Sequence, residues 1–286
     1  MKQRIISGAV MAGIVILVLF LGLNFSTQIM IGFLAIVAAL GVYELVANAA
    51  KVENIVLKIL PSIYTIVMVF LFSTMCPEIY QLNTNISQTG FLSIEALVLP
   101  IIITVVYVIA MGILCLVFQK DLDLAKIAVL CGFPLIYSFA FSTIASIIII
   151  ASGIYYLLLA LNFACVCDIG AYFVGVKFGK TKLCPEISPK KTVEGALGGL
   201  ASGIIVALII VLCYGFYNRI LPTLLFTVPL CVVGMAGDLF ASIIKRKVGL
   251  KDYGNLIPGH GGILDRVDSL LFVVPLMYCL IVVGLL

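Results

Sequence analysis

The stretch IEALVLPIIITVVYVIAMGILCLVF, residues 94–118, carries a single charged side chain, that of Glu95. A run of about 20 apolar residues is long enough to cross the hydrocarbon core of a bilayer as an α-helix. Further stretches of the same character lie at 5–23, 28–49, 59–76, 127–150, 153–176, 195–217, 222–245 and 264–286. The sequence therefore predicts an all-α, polytopic membrane protein with about nine transmembrane helices.

The overall composition excludes a soluble protein. Of the 286 residues, 64% are hydrophobic and 10% are charged, and the mean hydropathy is +1.30. A soluble domain carries about 25% charged residues, so this chain has too few polar side chains to cover a water-exposed surface. Lys2 and Arg4 precede the first apolar stretch, and no small-residue cleavage site follows it. We therefore expect an uncleaved first helix.

The positive charges predict the orientation in the membrane. In the nine-helix arrangement, every one of the 17 lysines and arginines except Arg219 falls on one side. The positive-inside rule makes that side cytoplasmic, which places the N-terminus inside and the C-terminus outside the inner (cytoplasmic) membrane. An eight-helix alternative, which merges the helices around Gly153, would put the two densest basic clusters opposite the first three. We therefore favour nine helices.

The two halves of the chain differ in polar content. Residues 1–150 are nearly uninterrupted apolar stretches with short loops, whereas most of the Gly, Asp and Lys residues suited to chemistry lie between 160 and 270. No internal repeat or low-complexity linker is evident. We therefore expect one transmembrane domain, 1–286, with a scaffold half at 1–150 and a catalytic half at 151–286.

Acidic residues within the apolar stretches are the first candidates for function, because a carboxylate inside a membrane is costly. Asp168 and Asp238 lie within such stretches, and Asp265 and Asp268 begin the last one, three residues apart and so on one helical face. A polar stripe at helical spacing runs to the cytoplasmic end of the eighth predicted helix and consists of Asp238, Ser242, Lys245, Arg246 and Gly249.

Carboxylates beside cations and glycines are typical of a site for a nucleoside triphosphate. Mg²⁺ prefers oxygen ligands and is usually held by one or two carboxylates together with substrate phosphates. Glycines at 259, 261 and 262 around His260 let backbone N–H groups approach an anion. Two alternatives stay open: salt bridges that join the eighth and ninth helices, and the ion site of a transporter.

A second basic segment, KFGKTKLCPEISPKKTVEG, covers residues 177–195. Pro185 and Pro189 exclude a continuous helix there. Residues 188–192 lead into Glu194 and Gly195 at the start of the seventh predicted helix, which suggests an anion-binding helix N-terminus. An ordinary positive-inside loop would explain the lysines, but not the order Ser-Pro-Lys-Lys-Thr followed by Glu-Gly. Glu44, near the end of its helix, is expected to reach towards the membrane interface.

The segment SIIKRKVGLKDYGNLIPGHGGILDRVD, residues 242–268, resembles the signature of phosphatidate cytidylyltransferases, also called CDP-diglyceride synthetases. A second block, 168–199, is similar to another region of that family. The two blocks cover roughly the C-terminal 40% of the chain. Val176 departs from the family pattern, in which many members carry an arginine, and Lys177 follows it with a positive charge.

The resemblance implies an enzyme that makes CDP-diacylglycerol and pyrophosphate from CTP and phosphatidic acid with Mg²⁺ as cofactor. It implies that Asp238 and Asp265 bind the metal ion, and that both act in catalysis with Lys245 and Arg246. The substrate-binding residues that we predict are Ser242, Asp268, His260, Gly261, Gly262, Lys190, Lys191 and Thr192. Membrane lipid is an expected partner and nucleic acid is not, and a homodimer is left open.

Other functions predict other sequence features. The DGxxAR motif of CDP-alcohol phosphotransferases is absent from the sequence. A synthase for archaeal ether lipids would share the 242–268 signature, and the nine-helix length favours the bacterial diacyl form. A cation-coupled transporter that uses Asp168, Asp238 and Asp265 would be expected to show repeat symmetry, which the sequence does not display. For the enzyme, we expect a lateral gap for lipid near the eighth and ninth helices.

Overall fold

The computed structural model describes residues 2–84, 94–150, 152–259 and 261–286. The chain forms two compact units. The first unit contains residues 1–149 and 250–266, and the second contains residues 150–249 and 267–286.

The first unit is a bundle of apolar helices with one irregular segment returning to it late in the chain. Ser26 caps the second helix by accepting a hydrogen bond from the backbone N–H of Gln28 at 3.3 Å. Large side chains such as those of Tyr137 and Phe141 are fully buried in its core. Its helices are α1 (Lys2–Asn24), α2 (Thr27–Glu44), a π-helix (Leu45–Ala49), α3 (Ile55–Thr84), α4 (Ile94–Val117), α5 (Leu124–Ile149) and the short α10 (Leu264–Val267).

The second unit combines helices with a small two-stranded sheet. The strands β1 and β2 pair in antiparallel fashion, with Lys182 opposite Thr192 and Cys184 opposite Ser188. Its elements are α6 (Gly153–Leu161), a π-helix (Asn162–Val166), α7 (Cys167–Phe178), β1 (Lys182–Cys184), β2 (Ser188–Thr192), α8 (Val193–Cys213), α9 (Ile220–Lys247) and α11 (Leu270–Val282).

The structure confirms an all-α membrane protein in its essentials. Within the described ranges, seven helices are long and apolar enough to cross a membrane, and two shorter apolar helices lie at Ser7–Gly22 and Leu270–Val282. Each predicted apolar stretch is mainly helical. The number of nine crossings and the positions of the termini stay predictions.

Two local features differ from the sequence prediction. The helix expected over 264–286 is interrupted by a turn at 268–269, so Asp265 and Asp268 do not share the face of one continuous helix. Asp265 also belongs to the first unit, whereas Asp268 belongs to the second. The segment 177–195, expected as a loop without helix, contains the β1–β2 pair. Prolines and lysines flanking a short turn suit an edge-exposed hairpin.

A π-helix lies beside a buried or half-buried acid in each unit. Glu44 directly precedes the first π-helix, and Asp168 follows the second by two residues. In the second, buried Asn162 donates its side-chain N–H to the carbonyl of Gly203 at 2.9 Å. Single π-helical turns are rare and frequently occur at functional sites.

Candidate active site

The second unit encloses a cavity of about 610 Å³ that α7, β2, α8 and α9 line together. We call it the Asp238 cavity. Its charged lining consists of Asp168 on α7, Lys182, Lys190 and Lys191 on the two strands, and Asp238 on α9. Three lysines and two aspartates thus give this cavity a net positive charge, which suits an anionic ligand.

One ion pair crosses the Asp238 cavity. The ammonium of Lys191 lies 2.5 Å from Oδ2 of Asp238, and the two side chains are 26% and 25% exposed. A pair that is mostly withdrawn from water interacts more strongly than a surface pair. Because Asp168 lines the same cavity, Lys191 faces two carboxylates. The cavity therefore places a cation and two oxygen-ligand groups within reach of one bound molecule.

The β1–β2 pair fixes where these lysines project. Thr192 ends β2 and caps α8, because its hydroxyl oxygen accepts a hydrogen bond from the N–H of Gly195 at 3.1 Å. The carboxylate of Glu194 accepts hydrogen bonds from the backbone N–H groups of Lys180 at 3.0 Å and Thr181 at 3.1 Å. The loop before β1 is thereby tied to the first turn of α8. Thr192 has a structural role in addition to lining the cavity.

Glycines allow α7 and α8 to approach closely at this wall. A side chain on Gly195 would place its Cβ 2.7 Å from the carbonyl oxygen of Ala171, and one on Gly199 would meet the carbonyl of Cys167 at 2.7 Å. No real Cβ tolerates such contacts. The sequence of glycines after Thr192 is therefore required for helix packing, which in turn positions Asp168 against β2.

The cytoplasmic end predicted for α9 holds a second ion pair within the same unit. The ammonium of Lys245 lies 3.8 Å from Oδ2 of Asp268, and both side chains are 12% exposed. Ser242 is half-buried on the same helix, whereas Arg246 is exposed. The predicted polar stripe is thus divided, since Asp238 pairs with Lys191 and Lys245 pairs with Asp268.

Asp265 lies in the first unit and organises its own loop. We call residues 250–266 the Asp265 loop. Oδ2 of Asp265 accepts hydrogen bonds from the N–H groups of Tyr253 at 2.8 Å and Gly262 at 3.0 Å. Gly261 has φ +86° and bonds to Ile257 across a β-bridge, so its position requires a residue without a Cβ. These bonds fix the direction of the Asp265 carboxylate.

Glu44 holds the same loop from α2. Its Oε2 accepts hydrogen bonds from the N–H groups of Ile263 at 2.7 Å and Leu264 at 3.4 Å. The residue is only 6% exposed, and among the described residues no donor reaches its other oxygen, Oε1. One turn further on, Asn48 donates to the carbonyl of Tyr253 at 2.8 Å. Glu44 is therefore buried against the Asp265 loop, and its expected reach towards the membrane interface stays a prediction.

The sequence already marked Glu44 as a candidate functional residue, but its position near a helix end favoured a different interpretation. An acid within an apolar stretch is a functional candidate by default, and Glu44 lies in the stretch 28–49. Its partners Ile263 and Leu264 are more than two hundred residues away in the chain. No local pattern connects such distant residues.

A family comparison adds to this geometry. The model of the Cytidylyltransferase family matches residues 2–283, nearly the whole chain. The chain belongs to the cytidylyltransferase family. Its similarity to individual relatives is concentrated in a shorter stretch.

Curated relatives of this cytidylyltransferase family member carry a common name. The phosphatidate cytidylyltransferase of Bacillus subtilis is 52% identical over 114 residues, 40% of this chain and 42% of the relative. That of Staphylococcus haemolyticus is 45% identical over 132 residues, 46% of this chain and 51% of the relative. That of Staphylococcus aureus is 44% identical over 132 residues, with the same shares. The matched stretch spans about half the length of these relatives.

The predicted site residues of this family member lie in three main places. Asp238, Lys190, Lys191 and Thr192 line the Asp238 cavity, where Asp168 joins them. Lys245 pairs with Asp268 in the second unit. Gly261, Gly262 and Asp265 lie together in the Asp265 loop of the first unit, and His260 lies outside the described residues.

The metal prediction rests on carboxylates in both units. Asp238 belongs to the second unit and Asp265 to the first, and their joint role as ligands stays a prediction. In the part of the chain that the structure describes, no group of three or more His, Cys, Asp or Glu side chains is arranged to hold a metal ion. The two carboxylates of the Asp238 cavity match the smaller ligand set that Mg²⁺ uses when substrate phosphates complete its shell.

Proposed function

We propose that this cytidylyltransferase transfers the cytidylyl group of CTP to phosphatidic acid, giving CDP-diacylglycerol and pyrophosphate for phospholipid biosynthesis. The observation that carries the proposal is the Asp238 cavity, which is lined by three lysines, two carboxylates and exposed apolar side chains. The relatives named phosphatidate cytidylyltransferase support the choice of substrates.

The reaction needs no covalent enzyme intermediate. A phosphate oxygen of phosphatidic acid is already an anion at neutral pH, so it attacks the α-phosphorus of CTP directly. The bond from that phosphorus to the oxygen bridging the β-phosphate breaks, and pyrophosphate leaves with the bonding electrons. The protein then has two tasks, which are to align the two phosphates and to offset their negative charge.

The residues of the Asp238 cavity suit both tasks. Lys190, near the cavity mouth on exposed β2, and Lys191, deeper inside, offer ammonium groups to phosphate oxygens. Asp238 and Asp168 would hold Mg²⁺, and Asp265 is the further ligand predicted from the sequence. When bound, the ion supplies charge neutralisation at the phosphates and the leaving pyrophosphate. With a metal ion held by Asp238, the ammonium of Lys191 would be available to pair with a substrate phosphate.

The apolar rim of the cavity suits the lipid substrate. Tyr172 and Val176 of α7 line the cavity and are 65% and 71% exposed, although both are large apolar residues. Phe173, between them, is 67% exposed. A face of this kind is stable against acyl chains and costly against water. These side chains support lipid access along α7, which is a different place from the gap expected near the eighth and ninth predicted helices; that gap stays a prediction.

We also propose nine membrane crossings, with the N-terminus and the active site facing the cytoplasm and the C-terminus outside the inner membrane. The distribution of lysines and arginines supports this orientation, and the two shorter apolar helices bring the seven long ones to nine. Cysteine labelling at loop positions from either side of sealed vesicles tests it. Labelling of Cys184 in β1 from outside intact cells would overturn the orientation.

The decisive experiment is an assay with purified protein in detergent micelles. Labelled CTP and phosphatidic acid should give a CDP-lipid with release of pyrophosphate, and chelation of Mg²⁺ should stop the reaction. Preference for an archaeal ether-linked acceptor would redirect the proposal to that lipid class. Absence of product, together with cation transport in vesicles, would overturn the enzyme in favour of a transporter.

A further inference from the structure

The first unit contains a second cavity, of about 310 Å³, that the proposed reaction does not use. We call it the Lys51 cavity. Residues from the α2–α3 connection, such as Lys51, form one side of it. Phe118 and Leu122 from the α4–α5 connection and Lys126 from the first turn of α5 form the other. Four apolar spans end or begin around it, at Ala49, Ile55, Val117 and Leu124.

The position of these span ends sets the depth of the Lys51 cavity. Helices long enough to cross the membrane leave the hydrocarbon core at their ends, so the cavity lies at the level of lipid headgroups. Both connections are on the side that the distribution of lysines and arginines assigns to the cytoplasm. Any molecule that fills the cavity must therefore be compatible with a headgroup layer.

Its lining combines positive charge with an apolar floor. Lys51 and Lys126 line it, against a single acid, Glu53. Leu57, which is 1% exposed, and the half-buried Phe118 add apolar surface to the lining. Lysine ammonium groups on long flexible side chains can reach a phosphate from several directions. The apolar lining suits the first carbons of the acyl chains, next to the glycerol.

Several backbone N–H groups at the cavity already have acceptors within the protein. Lys51 adopts φ +50°, and the N–H of Val52 behind it donates to the carbonyl of Val46 at 3.2 Å. The Asn54 side chain accepts from the N–H of Val56 at 2.9 Å, and the Asp123 side chain accepts from the N–H of Lys126 at 2.7 Å. The positive charge available to an anion here comes from the lysine side chains of the lining.

We propose that the Lys51 cavity binds the phosphate of an anionic phospholipid headgroup. The cavity lies in the first unit, and the catalytic cavity in the second. Basic pockets between membrane helices on the cytoplasmic side are suited to such headgroups. The group that binds is a phosphate ester anion, which either a membrane lipid or a soluble phosphate ester could supply.

Binding of labelled phosphatidylglycerol to the full chain in neutral detergent micelles tests the proposal without reference to turnover. Each lysine near an anionic headgroup contributes roughly fivefold to binding, so the double variant Lys51→Gln/Lys126→Gln should weaken binding about 25-fold. Lys58→Gln removes one positive charge from the first turn of α3, outside the cavity lining, and should leave binding within about twofold, whereas each single variant, Lys51→Gln or Lys126→Gln, should weaken it about fivefold. A loss in Lys58→Gln equal to that in Lys51→Gln or in Lys126→Gln would overturn the proposal in favour of diffuse surface attraction.

Two further measurements distinguish a lipid from a soluble phosphate ester and test the site without any substitution. Glycerol phosphate without acyl chains should displace the lipid only at far higher concentration, and displacement at equal concentration would assign the phosphate site to soluble esters. On the unsubstituted chain, phosphatidylglycerol should protect Lys51 from an amine-reactive reagent more than it protects Lys58. Equal protection of both lysines, or equal binding of phosphatidylcholine, would overturn the proposal even if the double variant failed to fold.

Discussion

Replacing Glu44 with alanine tests how the Asp265 loop is held in place. The carboxylate accepts a short hydrogen bond from Ile263, at 2.7 Å, and a long one from Leu264, at 3.4 Å. A hydrogen bond to a charged group contributes about 1.5–3 kcal/mol, and a bond near 3.4 Å adds little. Because Glu44 is 6% exposed, its removal also leaves buried N–H groups and space beside Gly254.

The expected loss for Glu44→Ala is therefore about 2–4 kcal/mol in the free energy of unfolding. Glu44→Gln keeps an acceptor oxygen and should lose about 1 kcal/mol. A displaced loop moves Asp265, and a shift of about 1 Å in a catalytic group can cost about 100-fold in rate. We expect kcat of Glu44→Ala to fall by at least about tenfold, with partial rescue by glutamine.

Thermal unfolding in detergent micelles and the CDP-lipid assay provide the two measurements. Glu53→Ala is the matched control, because it removes an exposed acid from the same unit and should change neither quantity appreciably. Wild-type stability and wild-type kcat in Glu44→Ala would refute the role assigned to Glu44. A loss of stability with unchanged kcat would show that the loop is held by Glu44 but that its position does not limit turnover.

The remaining predictions concern the two candidate carboxylates and their surroundings. Asp265→Asn should insert normally but lose Mg²⁺-dependent turnover, and retained turnover would remove Asp265 as a metal ligand. Lys191→Met removes the ammonium proposed to pair with substrate phosphate and leaves Asp238 without its partner at 2.5 Å. The KM for CTP should therefore rise about tenfold or more. An unchanged KM would show that Lys191 does not bind the nucleotide. Gly262→Ala should lower both stability and turnover, because the new Cβ would lie 2.9 Å from the Gly254 nitrogen and against the Glu44 carboxylate. Gly13→Ala, which meets nothing within 4 Å, should be neutral in the same melting and turnover measurements.

Hydropathy was sufficient to predict most of the helices, because a bilayer forces long apolar segments into helices that satisfy their own backbone groups. The stretches 94–118 and 195–217, for example, correspond to α4 at Ile94–Val117 and α8 at Val193–Cys213. Hydropathy carries no information on short irregularities. The turn at 268–269 lies within an apolar stretch and could not be located in this way.

The pairing of polar residues was harder to predict than their importance. Asp238 and Lys191 were both candidates from the sequence, but the stripe on one helix suggested that Asp238 would act with its own helical neighbours. The partner of Asp238 is instead Lys191 of β2, because the β1–β2 pair positions Lys191 in the cavity. Contacts between separate elements depend on packing, which spacing within a single helix does not encode.

The π-helix at Leu45–Ala49 has a consequence for comparing this chain with its relatives. A π-helical turn holds one residue more than an α-helix over the same rise, so deletion of a single residue there can be absorbed by conversion to α-helix. Such a deletion within Leu45–Ala47 would keep α2 in phase with the residues after the π-helix, but Glu44 would then precede Asn48 by three residues instead of four, although both hold the Asp265 loop. A relative that lacks one residue at this point would have the same hydropathy profile. We would nevertheless expect it to hold the equivalent of the Asp265 loop through different contacts.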